Sequence, residues 1–157
     1  MGQEPYEQLC KVTEERGRPF RILIVDDEQW VREVFRDFCD LTNAFEVELA
    51  PDGRAALEMV RTGSYDLVTL DLIMPEMSGL EVLTAIKEVA PKIPVIVITG
   101  NATDSLVTRA GVLGACRVMY KPVILEQFLN EIAVTLAPGL VMSRPSERTN
   151  ASSEAPR

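Results

Sequence analysis

A doubly wound α/β fold, one five-stranded parallel sheet with helices on both faces, is predicted by two observations. Three short apolar runs, 21–25 (RILIV), 67–70 (LVTL) and 94–98 (PVIVI), are rich in Val, Ile and Leu and do not alternate with polar residues. Strands covered on both faces look like that. Segments of helical period lie between them, so strand and helix alternate five times, and crossovers of this kind place helices on both sides of a sheet. The chain of 157 residues, 46% hydrophobic and 25% charged, is long enough for one domain with a real core and spare length at its ends.

Each element has its own signal. Residues 1–19 form a polar N-terminal extension, read as holding a helical turn. After the 21–25 run, Trp30, Val31, Val34, Phe35, Phe38 and Leu41 recur at spacings of three and four, the stripe of an amphipathic helix. A second strand is expected at 45–49 and a helix at 53–61. The 67–70 strand is followed by a helix through Leu80, Leu83 and Ile86, and the 94–98 strand by a helix at 104–111. A last strand, 117–120, precedes the stripe Leu125, Phe128, Leu129, Ile132 and Leu136. The domain therefore spans 20–137. The tail 138–157, rich in Ser, Pro and charge, reads as disordered or as a linker.

Composition excludes several classes of function. With a net charge of −8, a pI near 4.6 and no basic run, the chain is unsuited to nucleic acid. Cys10, Cys39 and Cys116 are odd in number and scattered, which argues for reduced thiols in the cytoplasm and against a disulfide framework or a zinc site. No apolar run is long enough to cross a membrane, and the N-terminus has no signal-peptide core. The chain has no histidine, which removes His-based catalysis.

Polar residues collect where such a sheet binds ligands, at the carboxyl ends of its strands. Asp26 and Asp27 follow the first run, Asp71 the third, Thr99 and Gly100 the fourth, and Lys121 and Pro122 the fifth. Taken singly, an Asp there is as readily a helix N-cap, a Thr a turn residue and a Lys a solvated charge. Taken jointly, three crowded carboxylates repel one another and call for a cation. Clustered oxygens suit Mg²⁺, and an ammonium and a hydroxyl beside them complete a site for a phosphoryl group.

Paired acids after the first strand, DLIMPEMSGLE after the third, Thr-Gly after the fourth and Lys-Pro after the fifth, in that order, resemble the response regulator receiver domain of two-component signalling, chemotaxis-regulator-like and flavodoxin-like in fold. The resemblance covers nearly the whole folded part. It implies a (βα)5 phosphoacceptor switch, not a free-standing enzyme, that accepts a phosphoryl group on Asp71 from a histidine kinase or phosphotransfer protein. It implies Mg²⁺ held by Asp26, Asp27, Asp71 and the backbone carbonyl of Ile73. It makes Thr99 and Lys121 the groups that bind the phosphoryl oxygens, with Met74, Pro75, Gly79, Gly100 and a cis Pro122 shaping the loops. The output it implies is a downstream protein target or a homodimer, through the face of the fourth crossover helix, fifth strand and fifth helix.

Two positions depart from the family's usual pattern. Three residues before Lys121, where an aromatic residue usually reports phosphorylation, stands Val118. Tyr120 is read as lying on the alternate face of the strand and as no substitute. Two residues past Asp71 stands Ile73, with no donor or acceptor to orient a hydrolytic water, while Asn101, two past Thr99, is polar but neutral. These two are read as tuning dephosphorylation. Two other classes remain in view. A phosphoester hydrolase with an aspartyl-phosphate intermediate would carry Asp-x-Asp on its first strand, where this chain has VDDEQ. A phosphate-blind interaction module would have no need of the complete acidic set. A dinucleotide site would need a Gly-rich loop after the first strand, and none is there.

Overall fold

The computed structural model describes residues 5–137. The tail at 138–157 lies outside the described residues. Helices and strands alternate in the order α1 (Pro5–Arg16), β1 (Phe20–Val25), α2 (Gln29–Asp40), β2 (Phe45–Ala50), α3 (Gly53–Thr62), β3 (Leu67–Leu70), α4 (Gly79–Val89), β4 (Val95–Thr99), α5 (Asp104–Val112), β5 (Arg117–Tyr120) and α6 (Leu125–Leu136). The fourth and fifth crossover helices of the sequence reading are thus α5 and α6.

All strand pairs are parallel, in the order β2-β1-β3-β4-β5. The order reverses between β1 and β3. There the crossovers leave toward opposite faces, and a crevice opens at the strands' carboxyl ends. The expected doubly wound sheet is therefore present, and β1 and β3 bring Asp26 and Asp71 side by side.

Alternate residues of each strand feed two separate cores. Ile22, Ile24, Leu67, Ile96 and Ile98 face α2 and α6, where Phe35 stacks on Phe128 with ring centroids 4.7 Å apart. Leu23, Val25, Val68, Leu70, Val95 and Val97 face α3, α4 and α5. Nearly all of these side chains are fully buried, and each contributes about 1.5–3 kcal/mol on leaving water. Side-chain caps start the second layer: Asp52 accepts from the Ala55 amide, Thr103 from the Leu106 amide, and Ser78 and Glu81 form a reciprocal capping box.

The N-terminal extension is more than a turn. Its 12-residue helix α1 lies against α6. Leu9 is fully buried in the α2–α6 core. The hydroxyl of Thr13, also buried, donates to the Leu9 carbonyl at 2.9 Å. The Arg16 guanidinium lies 3.8 Å over the Phe20 ring and pairs with Asp66. Leu9 is the fully buried anchor, with Cys10 and Val12 partly buried against the same core, and three apolar residues so few and close together in a polar stretch give little periodic signal.

Candidate functional site

The site forms where four strands end. Backbone bonds set their ends level: the Asp26 amide donates to Ala50 O at 3.2 Å, Asp71 to Val25 O at 3.1 Å, and Lys121 to Thr99 O at 2.9 Å. Asp26, Asp27 and Asp71 each offer a carboxylate oxygen within 4.8 Å of the others. Asp26 and Asp71 are buried, whereas Asp27 is exposed. The reading of these acids as helix caps does not hold, since the N-cap of α2 is Glu28 and no side chain caps it.

Lys121 reaches over the end of β4 to bind both buried acids. Its Nζ donates to Asp26 Oδ2 at 2.8 Å and to Asp71 Oδ2 at 3.1 Å, with Glu28 Oε1 at 3.8 Å. Backbone amides bind the other carboxylate oxygens, Glu28 N on Asp26 Oδ1 at 2.9 Å and Ile73 N on Asp71 Oδ1 at 3.1 Å. Burial pushes the Asp26 carboxyl above its ordinary range, against the pull of Lys121 and the Glu28 amide. Burial alone would lower the Lys121 ammonium, but its bonds to Asp26 and Asp71 prevail and hold it raised. One ammonium thus serves three carboxylates. A donor set made only of hard oxygens and short of positive charge fits Mg²⁺ or a similar hard dication.

An open pocket of ≈ 350 Å³ lies above these groups, lined by Asp27, Glu28, Asp71, Ile73, Gly100, Asn101 and Lys121. At the end of β4, where its carbonyl accepts from the Lys121 amide, Thr99 is fully buried, and its hydroxyl has no hydrogen-bond partner among the described residues. A buried hydroxyl without a partner costs roughly 1–3 kcal/mol, which an incoming acceptor oxygen would relieve. Ile73 is half exposed over the pocket, and Asn101 stands exposed at its rim.

Other expected residues act through the backbone. A Cβ on Gly79 would meet the Asp71 carbonyl at 2.5 Å and Leu72 closer still. Only glycine lets α4 begin this close to the loop after β3, where the Gly79 amide donates to Leu72 O at 3.0 Å. Met74 packs on the α3–α5 core and Pro75 is exposed. Glu76 then turns the chain with φ +67°. Gly100 has no such need, because an added Cβ would make only ordinary contact with Lys121. The Lys121–Pro122 bond is cis.

Val118 lies away from the pocket, packed against the α3–α5 core, while Met119 enters the opposite one. Placing Tyr120 on the alternate face was an error of phase. Two residues after Val118 on one strand, it shares Val118's side, and it is 52% exposed at the strand's end. The sequence reading also passed over two neighbours, Glu28 and Arg32. Glu28 directly follows the acidic pair, which was the available signal. Arg32 Nη1 donates to the Asp26 carbonyl at 2.6 Å, a contact set by the path of the loop.

Known proteins match this geometry. The response regulator receiver domain family matches residues 22–133. The response regulator MprA of Mycolicibacterium vanbaalenii is 39% identical over 120 residues, 75% of this chain and 51% of that protein. The chain thus spans about half the length of the curated relatives it matches. The receiver domain protein (CheY-like) from Methanospirillum hungatei JF-1 superposes with a TM-score of 0.73 at 25% identity, over 80% of this chain and 99% of that one. The signal receiver domain of the response regulator NarL from Mycobacterium tuberculosis gives 0.69 at 25%, over 75% and 96%. With the acids, hydroxyl and lysine converging at the switch point of a five-stranded parallel sheet, the chain belongs to the response regulator receiver domains.

Proposed function

We propose that Asp71 is the phosphoacceptor of this receiver domain, taking a phosphoryl group from a partner histidine kinase or phosphotransfer protein. The observation that carries this reading is the meeting of Asp26, Asp27, Asp71 and Lys121 at the strand ends, where β4 also ends in Thr99, whose buried hydroxyl is unpartnered among the described residues. In the transfer, an Asp71 carboxylate oxygen bonds to phosphorus as the bond to the donor's nitrogen or oxygen breaks. A buried strand end holds that oxygen in line, and its neighbours are already in place. Lys121 and Thr99 then bind the dianionic product.

Asp26, Asp27, Asp71 and the Ile73 carbonyl would hold Mg²⁺, which supplies charge neutralisation for the phosphoryl oxygens. Chemistry of this kind is limited to the domain's own phosphorylation and dephosphorylation. The output is altered binding of a downstream protein or of a second copy through α5, β5 and α6. Three free cysteines support a reducing, cytoplasmic setting. Among the described residues no helix is long and apolar enough to cross a membrane.

Acetyl phosphate with Mg²⁺ tests the reading without a kinase. The parent protein should take up about one phosphoryl group, and Asp71→Asn none. Undiminished uptake by Asp71→Asn would reject Asp71 as the nucleophile.

A further inference from the structure

We propose that Arg32 is a positioning residue for divalent-cation binding, holding the peptide that joins Asp26 to Asp27; this rests on the acidic-pocket reading above. Asp27 is the exposed member of the acidic set, and among the described residues no hydrogen bond or ion pair holds its carboxylate. Where that carboxylate points therefore depends on the backbone beneath it. The Asp26 carbonyl and the Asp27 amide belong to one planar unit, so fixing the carbonyl oxygen fixes the start of Asp27.

Arg32 does this from the first turns of α2. Its Nη1 donates to Asp26 O at 2.6 Å, a short charge-assisted bond, and its own amide donates to Glu28 O at 3.2 Å. The other restraints on the loop act elsewhere: the Asp26 amide on Ala50 O, the Glu28 amide on Asp26 Oδ1, and Lys121 on the Asp26 and Glu28 carboxylates. Among the described residues, Arg32 is the only side chain that grips the 26–27 peptide itself. Arg32 is half-buried, and it stands four residues after the N-cap Glu28, one helical turn from the loop.

Charge and position predict opposite signs, which makes the proposal testable. A cation beside a dication site repels the dication, so if charge alone mattered, removing Arg32 would tighten Mg²⁺ binding. If the guanidinium orders Asp27, removing it weakens binding by about tenfold, the worth of one hydrogen bond to a charged group.

The experiment is a Mg²⁺ titration of the full chain, read from the amide shifts of residues 26–28 and 71–73, with a thermal melt of each variant. Arg32→Met keeps the stem and loses the donors, and Arg32→Gln serves if the Met variant fails to fold. Arg32→Lys keeps the charge and a shorter donor. The expected result is weaker Mg²⁺ binding in the Met or Gln variant and an intermediate affinity in Arg32→Lys. Unchanged or tighter binding in the Met or Gln variant would overturn the inference, even with a lowered melt, and leave the acidic pocket standing. Equal losses in the Lys variant would also overturn it. A parent protein that binds no Mg²⁺ would overturn the acidic-pocket reading and this inference with it.

Discussion

At Lys121 a single ammonium is asked to satisfy acids from two other strands. Its bonds of 2.8 and 3.1 Å to Asp26 and Asp71 tie both carboxylates to one cation. A phosphoryl group on Asp71 would offer Lys121 a stronger acceptor and Thr99 its first one. How long that state lasts depends on water reaching phosphorus from the pocket side. Ile73, half exposed there, offers water no hydrogen bond, and Asn101 at the rim is neutral. We expect Ile73→Asn to lose its phosphoryl group about tenfold faster than the parent, the effect of one hydrogen bond that orients water, while still accepting phosphate. Release as slow as the parent's, followed by phosphate-sensitive fluorescence, would show that Ile73 only packs over the loop.

Among the elements, α1 adds most to the sequence reading. Leu9 is fully buried where α1 meets the α2–α6 core, so Leu9→Ala should cost about 2–5 kcal/mol by removing a packed side chain and leaving a cavity. Chemical denaturation checks this, and a loss below about 0.5 kcal/mol would mean that α1 is not held by its anchor. The strands and crossover helices were legible because apolar runs buried on both faces, and helical stripes of three or more apolar residues, are loud signals. The acidic set was legible because each member ends a strand, and strand ends are where this topology gathers polar groups. What was not legible depends on single contacts. Among the described residues Leu9 is the one fully buried apolar side chain of a mainly polar helix, the Arg32 contact follows a loop's path, and Tyr120's side depends on the phase of a four-residue strand.

For the whole molecule, the site and the proposed output face share β5, which carries Lys121 at one end and presents Tyr120 to solvent. On the proposed reading, a change in Lys121's partners would act on the strand between α5 and α6. Beryllofluoride with Mg²⁺, a mimic of the phosphoryl group, should shift amide signals through 104–114 and 117–129. Shifts confined to the pocket would mean that Val118, in place of an aromatic residue, leaves the face uncoupled. The claim on which the rest depends is that the phosphoryl group is carried by Asp71. Borohydride reduction of the protein after acetyl phosphate treatment, followed by peptide mass spectrometry, reads the modified residue directly. The account predicts conversion at residue 71 alone; conversion at Asp26 or Asp27, or none in protein that has taken up phosphate, would contradict it.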